Sequence, residues 1–416
     1  MGSSSSDTKD VAIIGAGAAG LATARAFLAN QQDVHFNVSV FESRQRPGGI
    51  WDYQSTAHGE KKSRPMYKQL RTNLPKELMA FREFPWRGTE DSYVTHTEVN
   101  TYLNDYCRVF GVEKHIRYGC TIEQLTVINQ EDEWSQISLQ WKTQGEIHEQ
   151  TFDNVCICNG HYALPSYPKL HGLDSFRGQV IHAIEYDTAD AYRNKTVLCV
   201  GARASGADIA REIGLVAKRV YLSDSTCHEK QEFDTKVALI PRTQFIDDSG
   251  AVHVFSSDTK QDQIIDNIDV IILCSGYDYD FPFINNKSNL DLDCHLGERR
   301  VSPLFEQLWH AHCPSISFIG LPHSVVPFPL FEIQANAVRI ASQLHYTGQG
   351  DILPSMIERL KDAKRDACSG GPDDPGRIQD THYLGSYQWD YCRKLAKIGK
   401  FYDQSLENYI ATNKVL

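Results

Sequence analysis

No run of about 18 or more apolar residues occurs anywhere in the 416-residue chain, so no segment is expected to cross a membrane as a helix. Positive charge is in deficit. Against 42 Lys and Arg stand 53 Asp and Glu, and the formal net charge of -11 argues against a nucleic-acid surface or a patch for anionic membranes as the main partner. The opening MGSSSSDTKD lacks the apolar stretch of a signal peptide and reads as a flexible tail. No two of the 11 cysteines are spaced as CxxC, and none falls in the first hundred residues. Their odd number and scatter favour free thiols in a reducing compartment. A soluble cytoplasmic protein is expected, or a secreted one if a leader has been removed.

The chain is too long for one small core, and two or three domains are expected. Its organising stretch is VAIIGAGAAGLATA, Val11 to Ala24. A buried apolar strand runs into Gly15, Gly17 and Gly20, spaced as in a dinucleotide-binding turn, with Ala18 and Ala19 inside the same phosphate-facing bend. Gly15 permits the turn, Gly17 lets the backbone approach a pyrophosphate, and Gly20 lets the next helix pack while its N-terminal N–H groups face the phosphates. Glycine spacing alone is weak evidence, and a strand-turn-helix with incidental glycines is the competing reading. A second strand, Phe36 to Phe41, decides between them. It ends in Glu42, about 20 residues beyond the last glycine, where an acid accepts hydrogen bonds from an adenosine ribose. The lack of cysteine beside this turn counts against a flavin-dependent disulfide reductase.

Beyond Glu42 the segment PGGIW breaks regular structure and places Gly49, Ile50 and Trp51 where a loop would lie along a bound cofactor; a plugging Trp is the alternative. Thr72 and Asn73 lie in LRTNLP, kept out of helical geometry by Pro75. An Asn in such a loop offers an amide to a bound ring, although as a bare residue it is more often a turn former. From Thr95 the apolar period predicts a helix burying Val99, Tyr102, Leu103, Tyr106, Cys107 and Phe110 and stopping at Gly111. Ile116 to Tyr118, Ile122 to Ile128, Ile137 to Trp141 and Val155 to Cys158 read as the strands of one meander. Cys156 and Cys158 alternate along the last and share a core face. The Pro-rich HYALPSYPKLHG behind it reads as a linker.

A second signature, TVLCVGARASGADIAREI, begins at Thr196. Gly201 and Gly206 keep the outer positions of the turn, Ser205 lies within it, and Arg203 replaces the middle glycine. Arg203 should either hold a pyrophosphate further off or itself meet a phosphate. The strand Arg219 to Ser223 ends at Asp224, and Ile265 to Leu273 closes the unit. Towards the C-terminus a strand from Ile316 to Ile319 precedes a helix, Phe331 to Leu344, with Gln334 near its start. Residues 350–416 read as helical and charged, without recognisable chemistry.

Two nucleotide turns in one chain imply two dinucleotides, one passing electrons to the other. Between the turns Phe176, Gly178, His182 and Tyr186 are spaced as FxGxxxHxxxY. With this motif the sequence resembles the flavin-containing monooxygenase family, and PGGIW, LRTNLPKELMAF and EIQANA look like further family motifs. The wording of LRTNLPKELMAF is most similar to insect members, among them enzymes that N-oxygenate pyrrolizidine alkaloids such as senecionine. Related Baeyer-Villiger monooxygenases carry Trp where Tyr186 stands.

The resemblance implies an α/β fold with two Rossmann-like domains, the second inserted in the first. Residues 1–163 and 281–416 would bind FAD, and 164–280 would bind NADPH. It also implies reduction of FAD by NADPH, a C4a-hydroperoxyflavin, and oxygenation of a soft nitrogen or sulfur in a small xenobiotic. Oxygen, an amine or thioether, and a homo-oligomeric partner are expected, with neither nucleic acid nor a membrane anchor. Asn73 is implied as the catalytic residue, giving hydrogen-bond support beside the flavin, and with Thr72 it would contact both cofactors. Gln334 would close the flavin site from its far side. Baeyer-Villiger oxygenation, a peroxide-producing NADPH oxidase and a redox-sensing protein without turnover remain open alternatives. Substrate-dependent oxygen use and the product formed separate them.

Overall fold

The computed structural model describes residues 8–413 apart from 30, 32, 55–63, 89, 130, 234, 257–260, 295–296 and 370–380. The expected serine-rich tail lies outside the described residues. The described residues divide into two compact units, those within 1–52, 74–161 and 279–416 in one and those within 53–73 and 162–278 in the other.

The first unit is built on a seven-stranded sheet in the order Leu304–Phe305, Trp309–His310, Ile316–Phe318, Asn154–Ile157, Thr8–Ile14, His35–Glu42, Ile116–Tyr118. The five strands from Ile316–Phe318 onward pair in parallel, and the first two add an antiparallel edge. Thr8–Ile14 is central because its apolar run is buried on both faces. Val11 and Ile13 pack with Leu21 and Phe27 of the helix Ala18–Ala29 and with Val338 and Ala341 of the helix Pro327–Tyr346. Ala12 and Ile14 face the other way, onto Leu125, Ile137 and Leu139 of an antiparallel meander. Phe41 anchors that meander to the sheet, its ring 4.9 Å from Trp141 and 5.8 Å from Phe152.

The meander is smaller than expected. It comprises Thr121–Val127, Ile137–Thr143 and Glu146–Phe152, while Ile116–Tyr118 and Asn154–Ile157 belong to the parallel sheet. The reason lies in their burial. Meander strands alternate buried and open residues, whereas Asn154–Ile157 is buried at every position, as a central parallel strand must be. Cys156 and Cys158 do share one apolar cluster. The helix begun at Thr95 runs His96–Val109 with a capping box between Thr95 and Glu98, and Gly111 follows it at φ 65°.

The second unit carries a six-stranded sheet in the order Gln231–Glu232, Val237–Pro241, Arg219–Asp224, Thr196–Val200, Val270–Leu273, Gln179–His182, parallel except at the Gln231–Glu232 edge. A second meander, Thr243–Ile246, Val252–Ser256 and Gln261–Ile265, fills the crossover before the strand Val270–Leu273. The stretch from Ile265 to Leu273, expected to close the unit, divides between the end of Gln261–Ile265 and the strand Val270–Leu273. Residues 53–73 were expected in the FAD-binding domain and instead join the second unit. Tyr67 and Leu70 are apolar enough to enter the core of that unit, where they pack with Tyr186, Tyr192 and Ile209.

Two candidate dinucleotide turns

In the first unit the strand Thr8–Ile14 ends where Gly15 turns at φ 102°, a conformation L side chains rarely adopt. Its N–H donates to Phe41 O at 2.8 Å, and a Cβ there would lie 2.6 Å from Cys158 O. The helix Ala18–Ala29 starts three residues later, with no acidic residue in its first turn. Its leading N–H groups have no intrahelical acceptor and leave a positive end suited to an anion.

Glu42 holds this bend as well as standing at its edge. The buried carboxylate accepts from Ala16 N at 2.8 Å and from Arg44 N at 3.0 Å, which leaves lone pairs for another donor. The PGGIW loop is fastened onto the same bend. Gly48 N donates to Ala16 O at 2.9 Å, and a Cβ on Gly49 would come within 2.8 Å of Gly17 Cα. Gly49–Trp51 forms a single 3-10 turn with its side chains half-buried, and Trp51 leans on the main core. Asp52 closes the loop. It is buried between Arg44 Nη1 at 2.9 Å and Arg46 Nη2 at 3.1 Å. The sequence reading missed this clamp, whose signal was two arginines and an acid flanking PGG.

The second turn repeats the first. Gly201 has φ 107°, its N–H donates to Ser223 O at 3.0 Å, and a Cβ would sit 2.6 Å from Cys274 O. A Cβ at Gly206 would lie 1.8 Å from Gly201 O, so strand and helix pack backbone to backbone here, as at Gly20. Arg203 is the N-cap of the helix Ala204–Gly214, and Arg203 and Ser205 are both exposed. Asp224, half-exposed at the tip of its strand, accepts from Thr226 N at 2.9 Å.

The signature residues between the turns are structural. His182 Nδ1 accepts from Ile184 N at 3.2 Å, so Nε2 carries the proton and donates to Gly276 O at 3.1 Å. Burial holds this imidazole below its ordinary pKa, with the Gly276 carbonyl opposing. Phe176 covers Gly178, where a Cβ would lie 2.5 Å from both Asp269 O and the Phe176 ring. Tyr186 is in the second core against Tyr67 and Tyr192.

Thr72 is buried and Asn73 is exposed, and both lie at the end of the stretch that joins the second unit. Gln334 departs from expectation. It is wholly buried, with Oε1 accepting from Gly320 N at 3.0 Å and Nε2 donating to Tyr391 OH at 3.1 Å. Facing the sheet from inside its helix, it has no surface to offer a ligand, and it braces the strand end at Gly320 instead.

A family model described as flavin-binding monooxygenase-like matches residues 8–228. An Arabidopsis thaliana protein, flavin-containing monooxygenase FMO GS-OX-like 2, is 32% identical over 86% of this chain and 77% of its own length. The chain belongs to the flavin-binding monooxygenase-like family. FMO GS-OX1 from the same plant is 33% identical over 94% of this chain and 84% of its own. Among solved structures, S-allyl-L-cysteine S-oxygenase from Allium sativum superposes with a TM-score of 0.79 at 28% identity, covering 98% of this chain and 93% of that one. These relatives are plant proteins, and the resemblance to insect members is not what they display. As a member of the flavin-binding monooxygenase-like family the chain is an FAD- and NADPH-dependent monooxygenase with two Rossmann-like domains. Among the described residues no helix is long and apolar enough to cross a membrane.

Proposed function

We propose that the enzyme oxygenates the lone pair of a soft sulfur or nitrogen in a small molecule, with pyrrolizidine-type tertiary amines within its range. The observation that carries this reading is the 28% identity, over 98% of the chain, to an S-allyl-L-cysteine S-oxygenase. Tyr186, in place of the Trp of Baeyer-Villiger relatives, supports it. In the overall reaction one oxygen atom joins the nucleophile. The other leaves as water with the two electrons of NADPH and a proton from solvent.

Bound FAD, reduced by NADPH, supplies the activation of oxygen. The first turn fits a dinucleotide, because Gly15 bends the chain at φ 102° and the helix end that follows offers N–H groups without intrahelical acceptors. In this reading Gly15, Gly17, Ala18, Ala19 and Gly20 hold the FAD pyrophosphate, and Glu42 takes the ribose hydroxyls with its remaining lone pairs. Gly49, Ile50 and Trp51 lie along the cofactor. Gly201, Arg203, Ser205 and Gly206 hold NADPH, Arg203 through its guanidinium. Thr72 and Asn73 give hydrogen bonds to the cofactor rings. Asn73 acts as a donor and not as an acid or base, since an amide does not titrate.

Incubation with NADPH and a panel of a thioether, a pyrrolizidine tertiary amine and a cyclic ketone, read by product mass, tests the proposal. A sulfoxide or N-oxide is expected from the first two. A lactone from the ketone alone, or peroxide as the sole product of every incubation, would overturn it.

A further inference from the structure

We propose that Tyr67 is a positioning residue that sets Thr72 and Asn73 in register with the second dinucleotide turn. The inference rests on the role proposed for Asn73. Tyr67, Thr72, Asn73 and the second turn all belong to the second unit.

The segment ending at Asn73 is pinned to that unit at several points. Tyr53 OH donates to an Asp187 carboxylate oxygen at 3.2 Å, and Lys68 N donates to Asp187 O at 3.2 Å. The Tyr67 ring stands edge-on to Tyr186, centroids 5.2 Å apart and planes at 72°, and Tyr186 is 1% exposed. Leu70 packs on the same cluster. Asn73 is three positions beyond Leu70, a reach of about 10 Å at most. That is short enough for the anchor to fix where Thr72 and Asn73 stand.

The other side of the cluster reaches the turn. Ala202, between Gly201 and Arg203, packs on it, as do Ile209, Ala210 and Ile213 of the helix Ala204–Gly214. Burial pushes up the carboxyl pKa of Glu212 and the phenol pKa of Tyr67, which also feels Asp208 and Glu212. The Tyr67 ring on Tyr186, in one cluster with Ala202 and the buried face of the helix, ties the segment to the turn through close packing. A ligand that orders the turn and the helix start would thereby order Thr72 and Asn73 too.

Hydrogen exchange on the FAD-loaded full chain, with and without NADP+, tests this. In the wild type the peptide covering 64–73 should exchange at least threefold more slowly once NADP+ is bound. In Tyr67→Ala that slowing should vanish while the peptide covering 204–214 keeps its own, and peroxide per NADPH consumed should rise severalfold. Tyr67→Phe, which retains the ring, should keep the response of 64–73. A wild-type 64–73 peptide indifferent to NADP+, or an undiminished response in Tyr67→Ala, overturns the proposal. Should Tyr67→Ala fail to fold, Tyr67→Leu keeps an apolar side chain and removes the ring contact to Tyr186. A response of 64–73 reduced about twofold is then expected, and an unchanged one refutes the proposal. If the wild type oxygenates no nucleophile, the proposed function fails on its own, and the exchange result still decides the coupling.

Discussion

Asn73 presents an exposed amide next to the buried Thr72, and its expected effect is on the fate of oxygen, not on cofactor binding. Removing one preorganised donor typically costs about 3 kcal/mol of stabilisation where charge develops. Asn73→Ala should therefore lower product yield roughly tenfold or more while NADPH oxidation falls much less, the difference appearing as peroxide. Parallel assays of product, peroxide and NADPH check it, and equal losses in all three would point to damaged folding. At Arg203 the issue is coenzyme choice. Asp224, fixed at its strand tip by the Thr226 N–H, favours a ribose hydroxyl and repels a 2′-phosphate. Arg203 is exposed at the N-cap above the same turn, and one charge-assisted phosphate contact is worth about 1.5–3 kcal/mol, roughly tenfold to a hundredfold. Arg203→Ala should lower the NADPH to NADH preference by that factor in steady-state kinetics. An unchanged ratio would remove Arg203 from the phosphate site.

Among the elements, the stapling of PGGIW onto the first glycine turn is the most specific construction. A Cβ at position 49 would meet Gly17 Cα at 2.8 Å, and the backbone there has φ 60°. Gly49→Ala should cost about 1–3 kcal/mol from overpacking and left-handed strain together. Bound FAD should be lost before the sheet melts, as a lowered flavin to protein absorbance ratio with the far-UV spectrum kept. A full flavin complement in Gly49→Ala would show that the two loops part freely. Both turns were legible in the sequence because each depends on glycines whose spacing survives in one dimension. The fastening between loops was not, since Gly48 N to Ala16 O and the Asp52 clamp join residues whose spacing carries no period. Gln334 misled for a related reason. A family motif marks that a residue matters, and only burial shows that its amide is spent on Gly320 and Tyr391. The strand Asn154–Ile157 was misassigned because a short apolar run looks alike in a meander and in a parallel sheet until its neighbours are known.

At the scale of the whole molecule, two buried histidines link stability to pH. His382 Nε2 accepts from Val301 N at 3.0 Å and His310 Nδ1 from Cys313 N at 3.1 Å, so each ring is held neutral with its other nitrogen donating, to Gln307 Oε1 and Asp291 O. Burial lowers His382 to about 3 and His310 to about 4, from 6.5. Between pH 6.5 and these values the unfolded chain binds the protons and the folded one does not. Stability is therefore fully present above about pH 6.5 and is lost as pH falls, by about 2 kcal/mol for each histidine at pH 5. Denaturant unfolding of wild type and His382→Gln at pH 7 and pH 5 checks this. The variant should be less stable at pH 7 and show a shallower decline, and equal slopes would contradict it.

The central claim is that oxidation of NADPH is coupled to transfer of one atom of O2 onto a soft nucleophile, the other atom leaving as water with the electrons of NADPH. Turnover of a thioether under 18O2 with limiting NADPH measures this directly. One labelled sulfoxide oxygen per NADPH consumed is the expected result, with peroxide a minor product. Unlabelled product, or NADPH consumed with peroxide as the sole reduced species, would contradict it.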